Sequence, residues 1–257
     1  MNHLADIDYF IAGPLSFLTF LGTESCTLQF DHVNVEGNCY LVARGGAIEI
    51  CDIVSKINGI NPGTVCRLMD RVFFVQEQGS LWASGYAFFE IAAPEYETMI
   101  SMERNSACAA HLLRSALVAY GGDQSTRVLD FGCGTGVSST VMQAAGVDVV
   151  SYDCCSAMRD HARRFGLRVV NAISDCESGS IDVVVACYVM HYGIRESDAV
   201  ELARVLSVGG LLAANFHKGL GIIEATNLLR CEGFSVLEDK VDSFDKYGQT
   251  VVFRWGN

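Results

Sequence analysis

The chain has 257 residues, half of them hydrophobic, and carries 30 acidic against 18 basic side chains for a formal net charge of −12. That length accommodates one sizeable core and a second, smaller unit, and the acidity argues against the broad cationic face that nucleic acid requires. The 11 cysteines form no C-x-x-C pair with metal-site spacing, and several stand inside apolar runs (Cys51, Cys187). This is the pattern of reduced, buried thiols in a cytoplasmic protein rather than of a disulfide framework. Cys187 and His191 could share a helical face, but two ligands do not make a metal site, and no metal is expected.

In chain order, residues 1–43 begin with a hydrophobic helix over Tyr9–Phe20, broken or started near Pro14. The apolar run Tyr9–Leu21 is too short to span a bilayer. Asp6 and Asp8, with no Lys or Arg, do not suit a signal peptide. Thr27–Val42 alternates loosely, as a strand pair turning at Glu36-Gly37-Asn38 would. Ala47–Ile57 has helical spacing and stops at Gly59. Asn61 then offers an N-cap before Pro62 for a second helix carrying Val65, Leu68, Met69 and Val72. Phe73–Val75 and Leu81–Phe88 read as strands joined by the turn Glu77-Gln78-Gly79-Ser80. Two helices followed by a hairpin make a winged helix. Arg67 and Arg71 are offset by Asp70 and Glu77, which disfavours DNA as its ligand. Ala93–Tyr120 is a long helical pattern closed by Gly121-Gly122 and connects the two domains.

Arg127–Ser138 (RVLDFGCGTGVS) follows. A buried strand ends at Asp130, a tight turn takes Gly132, Cys133, Gly134, Thr135 and Gly136, and a helix runs from Val137 to Ala145. Strand, glycine turn and helix together place a ligand at a helix start. The dinucleotide pattern G-x-G-x-x-G is missing, because the sixth position is Val137 or Ser139. What stands is D-x-G-x-G-x-G, and glycine turns of this kind occur in many α/β proteins, so the strands beyond it carry the weight. Val147–Tyr152 is a second buried strand ending at Asp153, an acid about 20 residues beyond the turn and suited to a ribose diol. Arg168–Val170 is a third strand with Asn171-Ala172 at its end and Asp175 nearby. Ile181–Cys187 is the fourth, followed by Tyr188, Val189, Met190, His191 and Tyr192. A helix over Ala199–Leu206 leads through Ser207-Val208-Gly209-Gly210 into the fifth strand, Leu211–Asn215. Ile222–Arg230 is helical, and Phe234–Leu237 and Thr250–Trp255 close the sheet. The cluster Arg159, Arg163, Arg164 and Arg168 reads as the solvated face of a helix.

The D-x-G-x-G-x-G stretch resembles motif I of the class I S-adenosylmethionine (SAM) methyltransferases. The series DVVVACYVMHYGIRESDAVELARVLSVGGLLAANF resembles that family's segment around its fourth to sixth motifs, the R-V-L-x-x-G-G turn best of all. GGAIEICDIVSKINGINPGTVCRLMDRVFFV looks like the N-terminal dimerisation domain of small-molecule O-methyltransferases. The resemblance covers residues 125–257, and 44–120 more loosely. It implies an α/β fold: a Rossmann-like, doubly wound class I methyltransferase sheet at 121–257 behind an N-terminal, mostly helical winged-helix domain at 1–120 that dimerises and lids the substrate.

The activity implied is SAM-dependent methylation of a small aromatic or heterocyclic molecule, on oxygen first and on nitrogen or carbon behind it. The resemblance implies a homodimer, while the acidity and the short apolar run lead us to expect neither nucleic acid nor membrane as a partner. The cofactor residues implied are Asp130, Gly132, Cys133, Gly134, Asp153, Cys154, Asn171, Ala172 and Cys187, with Asn171-Ala172 where the family contacts adenine and Asp175 as the competing candidate. His191 stands at the family's general-base position, and imidazole titrates near neutrality. The sequence His191-Tyr192-Gly193 departs from the usual His-Asp-Trp, so base and packing roles are both open. Tyr188, Tyr192 and His217 fall on the substrate side, His217 as the reserve base. A SAM-binding fold with other chemistry, or with a regulatory role, is the alternative.

Overall fold

The computed structural model describes residues 8–18, 28–60, 62–76, 81–241 and 247–256. The chain divides into two compact units, Met1–Met99 and Ile100–Asn257.

In the first unit the elements are β1 (Tyr9–Pro14), α1 (Leu15–Leu18), β2 (Gln29–Val35), β3 (Asn38–Gly45), α2 (Ala47–Ile60), β4 (Val65–Met69), β5 (Val72–Val75), α3 (Trp82–Ala92) and α4 (Tyr96–Met99). They build a five-stranded sheet of order β2-β3-β1-β5-β4. β1 pairs parallel with β5, and the other pairings are antiparallel. β1 is apolar throughout because it is the central strand, buried on both faces. Ile11, Leu41, Ala43, Phe73 and Val75 pack with Ile50, Ile53 and Ile57 of α2. With the two-residue period of a strand, Phe10 and Phe74 turn the other way and meet Phe88 of α3 edge-on at 5.6 and 5.5 Å.

This architecture overturns the winged-helix expectation. The helix expected after Pro62 is the strand pair β4–β5. The strand expected over Leu81–Phe88 is the helix α3. Of the helix expected over Tyr9–Phe20, Tyr9–Pro14 is a strand and Leu15–Leu18 a single helical turn. The segments 9–20 and 81–88 are short, nearly continuous apolar runs, and such runs do not tell a strand from a buried helix by spacing. Over 62–72 the positions Val65, Leu68, Met69 and Val72 mimic helical spacing, but the chain turns back at Asp70-Arg71 into a strand pair. The expectation of a homodimer rested on the same module. Asn61 and the turn at 77–80 lie outside the described residues. The helix starting at Ala47 stands as expected but runs through Gly59 to Ile60, and the strand pair turns at Glu36-Gly37 as expected.

The second unit comprises α5 (Met102–Tyr120), β6 (Arg127–Phe131), α6 (Val137–Ala144), β7 (Asp148–Tyr152), α7 (Ser156–Arg164), β8 (Ile181–Ala186), α8 (Glu196–Val205), β9 (Leu206–Phe216), α9 (Ile222–Cys231), β10 (Phe234–Val241) and β11 (Gln249–Trp255). The sheet order is β10-β11-β9-β8-β6-β7. β7, β6, β8 and β9 run parallel, and β11 is antiparallel to both its neighbours. The third strand expected at Arg168–Val170 is reduced to a single bridge, Ser151 to Val169.

α5 starts at Ser101, whose hydroxyl accepts from Arg104 N, and ends at Gly121 in the left-handed conformation. Its Cys108, Leu112, Leu113 and Ala116 pack with Val128, Val149, Val183 and Leu211. It is therefore part of the second unit's core, and the unit starts near residue 100 rather than at 121. The opposite face of the sheet (Leu129, Val150, Val184, Leu212) packs with Ala199, Leu202 and Val205 of α8 and Leu229 of α9. The winding direction reverses between β6 and β8, and the crevice beyond their carboxyl ends is where ligands bind in open α/β sheets. Among the described residues, no helix is long and apolar enough to cross a membrane.

At the amino ends of the strands, Asp182 accepts from Arg127 N, Nε and Nη2 at 3.0, 3.0 and 2.8 Å and from Tyr120 Oη at 3.1 Å. Burial pushes this carboxyl up, but the bonds from Arg127 and Tyr120 outweigh it and hold the group down at about 2. Asp182→Ala is expected to lower the unfolding free energy by about 2 kcal/mol in urea titration, the scale of lost hydrogen bonds to a charged group. The folded-state value lies below the unfolded one, so this stabilisation is present above about pH 4 and disappears as the pH falls towards 2. The variant should lack that part of the acid dependence.

Candidate active site

The turn after β6 is tied down from within. Gly132 N and Cys133 N both donate to Tyr152 O of β7, at 2.7 and 2.9 Å, and Gly136 N donates to Cys133 O at 2.9 Å. Gly134 N donates to Asp153 Oδ2 at 2.9 Å. These N–H groups hold the turn against the neighbouring strand instead of standing open for a ligand. Gly132 has φ +77°, and a Cβ there would lie 2.2 Å from Val189 Cγ2, in the loop after β8. Glycine is required because the two loops meet at that point.

Two carboxylates flank the turn. Asp153 follows β7, is buried, and accepts from Cys155 N at 2.8 Å as well as from Gly134 N. Arg159 Nη1 donates to the carbonyls of Asp153 and Cys154 at 2.7 and 2.9 Å, fixing the backbone that presents the acid. Asp130 is fully buried. Its Oδ2 accepts from Ser138 Oγ at 2.6 Å and Ser139 Oγ at 2.5 Å, and Ser139 Oγ lies 2.8 Å from Ser151 Oγ. Its Oδ1 has no partner among the described residues, nor does Thr135 Oγ1 in the turn. Burial pushes the Asp130 carboxyl up to about 6, against the two serine bonds. An unsatisfied buried carboxylate oxygen is costly, and an ammonium group would satisfy it. The donor set thus fits an amino acid zwitterion at Asp130 and a diol at Asp153.

The remaining residues expected on the cofactor side are placed unevenly. Asn171 Oδ1 accepts from Arg163 Nη2 at 2.6 Å, and Asp175 Oδ2 accepts from Asn171 N and Ala172 N at 3.0 Å each. Asp175 therefore acts on the loop's backbone. The Cys133 thiol points to the carbonyl of Gly134 at 3.6 Å and packs with Ala162 and Leu167. The Cys187 thiol donates to Asn105 O at 3.7 Å and meets Cys108, so it faces α5. Asp153, Cys154 and Cys155 bring their ligating atoms within 4.8 Å of one another, the one such grouping among the described residues.

Beyond β8 and β9 the residues expected on the substrate side form a cluster of rings. His191 lies 4.3 Å from Tyr192, 5.7 Å from His217 and 6.4 Å from Tyr188, and Tyr188 lies 6.0 Å from His217, between ring centroids. Val189, which touches the glycine turn, is next to Tyr188 in the same loop. His191 is buried, and its Nδ1 has no partner among the described residues. Burial first, then the neighbouring His217 and Lys218, push its value down to about 3. The imidazole is neutral throughout the ordinary pH range and retains an acceptor nitrogen. Sequence reasoning missed Ser138 and Ser139 as partners of Asp130, and Asn215, whose Oδ1 accepts from Tyr188 N at 2.6 Å. The serines' place in the first turn of a helix beside the acid was a readable signal, and Asn215 inside an apolar strand was another.

Residues 101–193 match the model of a family described as a methyltransferase domain. No curated protein matches the chain. Among solved structures, a TehB-like SAM-dependent methyltransferase from Corynebacterium glutamicum is similar at a TM-score of 0.50 and 18% identity, over 66% of this chain and 99% of its own. A SAM-dependent methyltransferase from Thermotoga maritima has a TM-score of 0.49 and 17% identity, over 66% of this chain and 98% of its own. The second unit thus has the class I methyltransferase fold. With the matched domain, the chain is an enzyme, a methyltransferase whose cofactor is SAM.

The buried groups act in opposite directions on stability. His191 has a folded-state value below its unfolded one, so its contribution is complete above pH 6.5 and is lost as the pH falls towards 3. Asp130 has a raised value, so its contribution is complete below pH 3.8 and is lost as the pH rises through about 6. Chemical denaturation at a series of pH values should show His191→Phe flattening the loss on the acid side. Asp130→Asn should flatten the loss on the neutral side.

Proposed function

We propose that this methyltransferase acts on a small aromatic or heterocyclic acceptor through oxygen, with His191 as the general base. The observation that carries this reading is the buried, neutral His191 imidazole, whose Nδ1 has no partner among the described residues, inside a group of aromatic rings. SAM, when bound, supplies a methyl group already activated for in-line displacement. What the chain must add is alignment of the acceptor and removal of a hydroxyl proton where there is one. In this reading Nδ1 of His191 takes that proton. Tyr188, Tyr192 and His217 present flat faces and edges to a planar acceptor.

Asp153 receives the ribose hydroxyls, Asp130 the ammonium group and Asn171-Ala172 the adenine, with Gly134 and Cys133 shaping the turn. Cys154 lies beside Asp153, and Cys187 supports the loop from behind. For the ribose hydroxyls, Asp153 has lone pairs beyond the two already taken by N–H donors.

His191→Ala is expected to leave the SAM dissociation constant within about twofold while slowing turnover by ~10²-fold, the scale of a lost general base. Calorimetry and methyl transfer to a panel of phenols and hydroxylated heterocycles would measure both. Unchanged turnover would make His191 a packing residue. Asp153→Ala should abolish SAM binding in the same calorimetric titration, and retained affinity would remove the ribose assignment.

A further inference from the structure

Among the described residues, three non-glycine residues have positive φ: Glu36, Tyr188 and Lys218. Glu36 is explained locally, because Glu36-Gly37 is the two-residue turn of the β2–β3 hairpin, with φ positive at both positions. Tyr188 has no such turn. It stands just beyond the carboxyl end of β8 at φ +56°, in a conformation that disfavours a residue with a Cβ and persists only where its surroundings hold it.

A buried side chain of β9 grips its backbone. Asn215, fully buried near the end of β9, accepts from Tyr188 N at 2.6 Å through Oδ1 and donates through Nδ2 to Tyr247 O at 2.7 Å. Both ends of the amide are engaged. The Tyr247 end is itself rigid: Gly248 approaches β9 so closely that a Cβ there would lie 2.3 Å from Phe216 O, and the Tyr247 ring is 5.6 Å from that of His111. Tyr188 in turn sets the loop that carries Val189 onto Gly132 and places its own ring edge-on to His191 and His217.

We propose that Asn215 is a positioning residue of the methyl-transfer site: its amide pins the backbone of Tyr188 in the left-handed conformation and thereby sets the acceptor-side rings against the cofactor turn. This rests on the proposed function for the role of the rings, while the pin itself can be tested apart from activity. Asn215→Leu removes both bonds. Asn215→Ser remains polar, but its hydroxyl falls short of Tyr188 N, and it serves if the leucine variant does not fold. Asn215→Asp keeps an acceptor for Tyr188 N and, in the protonated form that full burial favours, a donor for Tyr247 O, and is the conservative rescue.

Amide exchange in tyrosine-¹⁵N-labelled full-length protein should show the Tyr188 N–H exchanging at least tenfold faster in the serine variant and recovering protection in the aspartate variant. For the acceptor, kcat/KM should fall at least tenfold in the leucine and serine variants, with SAM affinity by calorimetry within twofold of wild type. Most of the loss should be regained in the aspartate variant. Asp182→Ala, which lowers stability at the far end of the strands, should leave these kinetics unchanged.

Unaltered Tyr188 exchange in Asn215→Ser would overturn the pin. Faster exchange with wild-type acceptor kinetics, or a loss matched by Asp182→Ala, would overturn the positioning role. A wild-type protein that binds SAM yet methylates no acceptor would refute the proposed function instead, and the exchange result would still decide the pin.

Discussion

The carbonyl of Tyr152 receives two N–H groups from the turn after β6, and the acid next to Tyr152 receives a third. These three bonds join the ends of two parallel strands and place the glycine turn at the point where the sheet reverses its winding. Without them the turn would have no reason to bring Asp130 and Asp153 to the same edge. With them, the loop after β8 can close on Gly132, and the rings that follow Val189 are drawn to the same place. The glycines serve this approach of backbone to side chain.

Burial then sets the charge states on the two sides of that contact. On one side, Asp130 has two serine hydroxyls on one oxygen and none on the other, and burial raises its carboxyl against those two bonds. On the other, His191 is denied its charge first by desolvation and then by its neighbours His217 and Lys218. The neutral imidazole keeps an acceptor nitrogen. The same low-dielectric surroundings produce both effects, because burial always disfavours the charged form.

The first unit follows a different rule. Its central strand is buried on both faces, one covered by α2 and the other by α3, so its sequence contains little alternation. That continuity makes 9–14 and 72–75 ambiguous in one dimension. The edge strand β4, with Arg67 exposed, misled instead through the helix-like spacing of Val65, Leu68, Met69 and Val72. Two-sided burial removes the period that would mark a strand, and the apolar run of α3 hides a helix for the same reason. The winged-helix expectation followed from this loss of signal.

In the second unit the order of strands and helices was legible because most strands have a recognisable break: Asp130 before the glycines and Asp153 after VDVVSY. Gly209-Gly210, expected as the turn before the last parallel strand, lie inside β9 at its register shift against β8. The acid pair and His191 were legible for the same reason, being polar residues at the ends of apolar runs. The partners of these residues were not. Ser138 and Ser139 reach Asp130, Asp175 grips the backbone of Asn171-Ala172, and Asn215 reaches Tyr188 over 27 positions.

By itself the sequence determined the type of sheet, the glycine turn and the residues at its carboxyl edge, since hydrophobic period and turn chemistry are local properties. Only the tertiary structure decided which N–H groups are already spent, which carboxylate oxygen is left open, which imidazole is desolvated and which asparagine holds a strained tyrosine. Each of these depends on atoms brought together from distant positions, and hydrogen bonding and burial act through space, not along the chain.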